Sequence, residues 1–258
     1  MKIKEILNIP KKCFVGTPMS KKDFYDFAQL KTRDIKIFTD IIDKITWVYA
    51  LQEENIRITP FKDSIREYTE VHVYDVSLKT YKEEKTDKNI DRIADIILRT
   101  IPYPIILVFE YQNKIKLYVS HIKEHLSDST KIKLEGPIST NWINLDNLDK
   151  IDEKLVDSLK LENLSFSHFY RFYSDIVDNI NIYNGSKLVG RDLSLTVKLS
   201  PDEIKAIQEE IASKNKEIEL KKNHIKKETQ FNRKIEINIE IKGIEKEIKD
   251  LEVKLLEL

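Results

Sequence analysis

The sequence contains a single cysteine, Cys13, among 258 residues. An intramolecular disulfide and a thiolate metal cluster are therefore excluded. Five glycines and seven prolines are too few for a low-complexity or linker-dominated chain. No apolar run approaches the length of a membrane span; the longest strongly apolar stretch is Ile105 to Phe109. Met1 to Pro10 is broken by Lys2, Lys4 and Glu5 and does not read as a secretion signal. The expectation is a soluble, cytoplasmic protein. Charge of one sign is also missing: 44 basic and 44 acidic residues balance, so no general electrostatic grip on nucleic acid is implied. There is no glycine-rich phosphate loop, because Gly16-Thr17 lacks both the second glycine and the lysine such a loop needs. Autonomous nucleotide hydrolysis is not expected.

What is present falls into two parts. Residues 1 to 19 read as irregular. Ser20 caps a short helix with Asp23 in its first turn, and the spacing of Ile35, Phe38, Ile41, Ile42 and Ile45 predicts a second helix from about Asp34 to Ile45. The period then changes. Trp47 to Leu51, Asn55 to Thr59 and Tyr68 to Lys79 read as strands, the last apolar on both faces and therefore internal to a sheet. A charged loop, Lys79 to Lys88, leads to a helix over Asn89 to Ile101, which Pro102 and Pro104 end. Ile105 to Tyr111 and Lys114 to Ile122 form a hairpin about Gln112-Asn113, and Lys131 to Leu145 adds a strand carrying Trp142. Helices over Asp149 to Leu161 and Leu164 to Ile180 follow, the second with a stripe of Phe166, Phe169, Phe172, Tyr173, Ile176 and Ile180. This is an α+β (mixed α/β) body over residues 20–180, a mixed sheet with flanking helices. Residues 181–199 read as a linker.

Residues 200–258 read as a long C-terminal coiled-coil helix. Of residues 202–258, 27 are charged. Ser200-Pro201-Asp202-Glu203 supplies a capping box with proline at the first helical position. Ile204, Ile207, Ile211, Ile218 and Ile225 follow a heptad interrupted by Lys214, Lys221 and Glu228; Ile237, Ile241, Ile244, Ile248, Leu251, Leu255 and Leu258 then repeat strictly. The two blocks are out of phase by two residues. Two arrangements fit: a single rod of about 85 Å, or two helices turning near Gln230 to Arg233. No Gly or Pro marks a turn there, which favours the rod.

Few residues carry chemistry. His121 and His125 have a metal-pair spacing only if they lie on a helix, and His121 ends a predicted strand. Asp75 and Lys79, with Glu70 nearby, suggest a nuclease core, but the acidic-x-lysine triplet is missing and Lys114 sits too far from Glu110. Neither set makes a convincing site, so no catalytic residue, cofactor or metal is expected. Lys221, Lys222, Lys226, Lys227, Gln230, Asn232, Arg233 and Lys234 are candidate contacts to nucleic acid or to a partner.

Four stretches carry a resemblance: Ile45 to Leu51, Glu70 to Val73, Ile101 to Glu110, and Lys227 to Lys234. With them the chain resembles the bacterial and archaeal family catalogued as domain of unknown function 4391, from about Lys21 to the end. The resemblance implies no catalytic residues. It implies a genomic context beside helicases and DNA methyltransferases, in restriction-like or anti-phage loci. The sequence thus reads as a non-enzymatic accessory or adaptor subunit. It would associate with a protein partner or with itself through the coiled coil, with nucleic acid a further partner and the membrane none. The alternatives are a metal-dependent nuclease and a simple DNA-binding module.

Overall fold

The computed structural model describes residues 6–81, 84–125, 128–193 and 200–256. They form two compact units, Met1–Ile180 and Asn181–Leu258. The fold class is mixed α+β, with a seven-stranded mixed sheet and eight α-helices among the described residues.

The sheet of the first unit runs in the order β1-β2-β5-β6-β7-β8, with β9 also paired to β7. Its strands are β1 (Phe14–Met19), β2 (Ile42–Gln52), β5 (Glu70–Leu78), β6 (Ile105–Tyr111), β7 (Lys114–His125), β8 (Asp128–Ser139) and β9 (Ile143–Asn144). A separate two-stranded ribbon joins β3 (Phe61–Lys62) to β4 (Glu67–Tyr68). Only β5 and β6 pair in parallel, and they flank the crossover helix α4 (Glu84–Thr100) in sequence. Ile90, Ile93, Ala94, Ile97 and Leu98 of that helix are buried. The expected hairpin is present as β6 and β7, with Gln112 taking a left-handed φ of 53° at the turn.

Helices α1 (Lys21–Phe27) and α2 (Thr32–Ile41) pack with α4, and Arg92 of α4 holds Asp34 through two hydrogen bonds of 3.2 and 2.8 Å. The Ser20 hydroxyl accepts the Lys22 amide, the cap its sequence position predicts. Helix α5 (Lys150–Ser158) is short, and α6 (Phe169–Val189) supplies Phe169, Phe172, Tyr173, Ile176 and Ile180 to the core.

Several expectations are corrected. Residues 14–19 are not irregular; they form edge strand β1, paired to β2. The second helix stops at Ile41, and Ile42 and Ile45 belong to β2, opposite Leu78 and Val76. A spacing of three fits a helix face and sets two residues of a regular strand on opposite faces; β2 shifts register between Ile42 and Lys44, and the β5 partner decides. Asn55 to Thr59 is not a strand. The Asn55 side chain accepts the Gln52 amide at 2.9 Å, donates to the Ala50 carbonyl at 2.8 Å, and stabilises helix α3 (Glu53–Ile56) instead. Part of the charged loop, from Glu84, is the first turn of α4. The region read as a linker is helical through Val189, and residues 194–199 lie outside the described residues.

One side chain closes the irregular part of the sheet. The ladder between β7 and β8 shifts register between Val119 and His121. There the buried Tyr173 hydroxyl accepts the Ser120 amide at 3.1 Å and donates to the Ile105 carbonyl at 2.7 Å. Tyr173→Phe leaves both backbone groups unpaired in the core. We expect a loss of about 1–2 kcal/mol in urea unfolding; an unchanged midpoint would show that these groups find other partners.

Candidate functional site

In the second unit the long helix is two helices. α7 spans Pro201–Lys227 and α8 spans Phe231–Leu256, and they pack antiparallel. The rod is thus corrected to a hairpin, and a continuous coiled-coil helix is not what forms. The reason is local. Glu228 takes an extended conformation (φ −72°, ψ 139°), and its carboxylate accepts the amides of Thr229 at 2.7 Å and Gln230 at 2.9 Å. The turn needs no left-handed residue, so it needs no glycine.

The two heptad blocks become two faces of one seam. Ile204, Ile207, Ile211 and Leu255 form one buried cluster, joined by Ile248 and Leu251 and by Ile182 and Val189 of α6. Ile218, Ile237, Ile241 and Ile244 form the other, joined by Ile225 and Ile248. Leu258 lies outside the described residues. The two-residue offset needs no rotating seam, because each block now faces the other across the turn. Lys214 and Lys221, polar interruptions in the first block, reach Glu247 at 2.6 Å and Glu240 at 2.8 Å. One heptad on along α7 meets one heptad back along α8, so both bridges specify the same register. Gly185 of α6 lets α7 approach: a Cβ there would stand 2.9 Å from Ile204 Cγ2. The predicted capping box is formed, Ser200 Oγ accepting the Glu203 amide and the Glu203 carboxylate accepting the Ser200 amide at 2.7 Å.

The candidate contact residues gather at the turn. Lys221 is tied to Glu240 and Glu217, and Arg233 to Glu236 at 2.6 Å. The Lys226 ammonium reaches only the Asn223 side chain, at 3.5 Å. Lys222, Lys226, Lys227, Gln230 and Asn232 are exposed and Lys234 is half-buried. Two isoleucines on α8, Ile235 and Ile239, are 44% and 64% exposed. Helical geometry sets them opposite Ile237, Ile241 and Ile244, on the face turned away from α7.

The chemistry considered in the first unit is rearranged. Asp75 is not paired with Lys79, whose ammonium donates to the Thr39 carbonyl at 2.8 Å. Its neighbour is Glu110 on the adjacent parallel strand, where Ser77 is opposite Glu110 and Asp75 opposite Val108. Burial, then the Glu110 charge, pushes the Asp75 carboxyl up to about 6, against the pull of Ser77 and Lys44. His121 and His125 lie on strand β7, where four residues span about 13 Å, too far for one ion. His121 Nδ1 instead meets the Tyr68 hydroxyl at 2.9 Å. Among the described residues no group of three or more His, Cys, Asp or Glu side chains is placed to hold a metal ion. The Cys13 thiol is buried against Asn55 Oδ1 at 3.3 Å, and burial raises its pKa, which makes it a poor nucleophile.

One environment was not legible. His72 is buried between Trp47 and Tyr103, with ring centroids 4.7 and 4.6 Å away. Among the described residues neither ring nitrogen has a hydrogen-bond partner. Glu70 stands 3.3 Å from Nε2 without hydrogen-bond alignment, and burial holds the imidazole pKa below its usual value against that carboxylate. The alternation of β5 gives the inward side of His72, but its ring neighbours come from β2 and from the residues before β6.

A mixed α+β unit followed by a helical hairpin defines the class of protein. Within it, the chain belongs to the family described as Domain of unknown function (DUF4391), which matches residues 7–248. That span includes the sheet, the turn and most of α8. No curated protein and no solved structure matches the chain. Among the described residues no helix is long and apolar enough to cross a membrane.

Proposed function

We propose that this protein is a non-enzymatic accessory or adaptor subunit of the cytoplasm that acts through its C-terminal helical hairpin. The assembly it serves would be the restriction-like or anti-phage system, with a helicase and a DNA methyltransferase, that the family resemblance implies. One observation carries the reading. The hairpin buries its heptad isoleucines within the chain, yet keeps Ile235 and Ile239 exposed on the outer face of α8. Adjacent apolar side chains on an otherwise charged helix suit a docking face. The partner therefore meets the outside of a closed hairpin rather than an open zipper.

Light scattering of the chain mixed with the products of the adjoining helicase and methyltransferase genes tests this. The expected result is a complex that Ile235→Asp with Ile239→Asp abolishes while the circular dichroism stays unchanged. The mass of a single chain in every mixture, or a complex indifferent to the double substitution, rejects the reading.

A metal-dependent nuclease is the second reading, and the Asp75–Glu110 pair is the observation in its favour. Magnesium- or manganese-dependent cleavage of plasmid or single-stranded DNA that is lost on Asp75→Ala would replace the adaptor reading.

A further inference from the structure

We infer that the turn of the C-terminal hairpin is a binding site for the phosphodiester backbone of nucleic acid. Residues 221–234 carry six basic side chains and one acid, Glu228. The structure directs that acid's carboxylate onto the Thr229 and Gln230 amides and into no ion pair among the described residues, so its charge offsets only one of the six. It also divides the bases. Lys221 and Arg233 are neutralised by acids from neighbouring turns, Glu240, Glu217 and Glu236. Lys222, Lys226, Lys227 and Lys234 have no ion pair among the described residues, which leaves four cations about one turn.

Helix electrostatics explain only part of this. Lys226 and Lys227 sit in the last turn of α7, where the macrodipole favours cations. Arg233 and Lys234 sit in the first turn of α8, where it disfavours them, and no acid occupies that turn. An anion bound at the turn would relieve the excess from both helices at once.

The form of the cluster identifies the anion. Lys222 to Lys227 spans about 7.5 Å along the helix axis, the rise of about two phosphates on one strand. The exposed side chains Lys222, Asn223, Lys226, Lys227, Thr229, Gln230 and Asn232 are all polar. Lysines on flexible stems, with amide donors between them, suit a repeated charge read without base sequence. Elsewhere on α8, Lys242 and Lys246 alternate with Glu240, Glu245 and Glu247, so that face is balanced.

The site stands apart from the docking face at Ile235 and Ile239, and each can fail without the other. Fluorescence anisotropy with a short labelled DNA duplex, titrated with the full chain, tests it. Four phosphate contacts predict that affinity falls about 150-fold between 50 and 200 mM salt. Lys226→Gln with Lys227→Gln should bind more weakly at 50 mM salt and reduce that fall to about 12-fold. Lys242→Gln with Lys246→Gln should behave as the unchanged protein does, and circular dichroism should show all three equally helical. Absence of binding at 50 mM salt, binding unaffected by salt, or equal binding by the two double variants overturns the proposal.

Discussion

Ile241→Asp is expected to melt the C-terminal hairpin and leave the sheet folded. Ile241 is buried in the cluster with Ile218, Ile237 and Ile244. The substitution removes an aliphatic side chain from that seam and sets a carboxylate in its place. Together the two effects should cost upwards of about 4 kcal/mol, a large share of what a two-helix unit can hold. Hydrogen exchange should show fast amides along α7 and α8, while β6 and β7 stay protected. The unchanged protein should melt at a temperature independent of its concentration, because its seam closes within one chain. A melting temperature that rises with concentration would mean that the isoleucines pair between chains, as a zipper would. Protected α7 amides in the variant would mean that the seam contributes little.

Asp75→Asn is expected to stabilise the first unit at pH 8 by about 2–3 kcal/mol, since each unit of pKa displacement corresponds to about 1.4 kcal/mol. The sign follows from the direction of the shift. The Asp75 carboxyl rises to about 6 on folding, from an ordinary value of 3.8. A group raised in this way carries its stabilising contribution below the unfolded pKa and loses it as the pH climbs through the folded one. Above pH 6 the folded state holds a half-buried carboxylate beside Glu110; asparagine holds none. Well below the unfolded value of 3.8 the side chain is neutral in either state, and the two proteins should unfold alike. Urea titrations at pH 8 and pH 3 read the difference directly. An asparagine variant that is less stable at pH 8 would mean that the carboxylate is held by partners stronger than its burial. A half-buried acid that weakens its own fold is also the reason Asp75 is the residue on which the nuclease reading turns.

The sheet was legible where two signals agreed. β5 reads as internal because both its faces are apolar, and β6–β7 reads as a hairpin because alternation surrounds Gln112-Asn113. Legibility failed where one pattern serves two structures. Phe38, Ile41, Ile42 and Ile45 have helical spacing, and only the partner strand, with a register shift between Ile42 and Lys44, shows that the chain extends from Ile42. β1 escaped notice because Gly16 and Pro18 lie within it, and an edge strand tolerates both. The seam isoleucines were all visible as heptads. Their pairing was not, because a heptad specifies a face and leaves open which helix covers it.

The sequence by itself determined the internal strand β5, the β6–β7 hairpin, the apolar seam, the capping box at Ser200 and the basic run from Lys221 to Lys234. These are matters of period, of cap chemistry and of charge count, all local along the chain. The tertiary structure decided that the seam closes on itself, that Asp75 lies beside Glu110 instead of Lys79, and that four lysines about one turn have no ion pair among the described residues. Each of these depends on which distant residue arrives opposite. At Glu228 the decision rests on two hydrogen bonds from one carboxylate, made without glycine or proline, and rules built on those two residues do not detect such a turn.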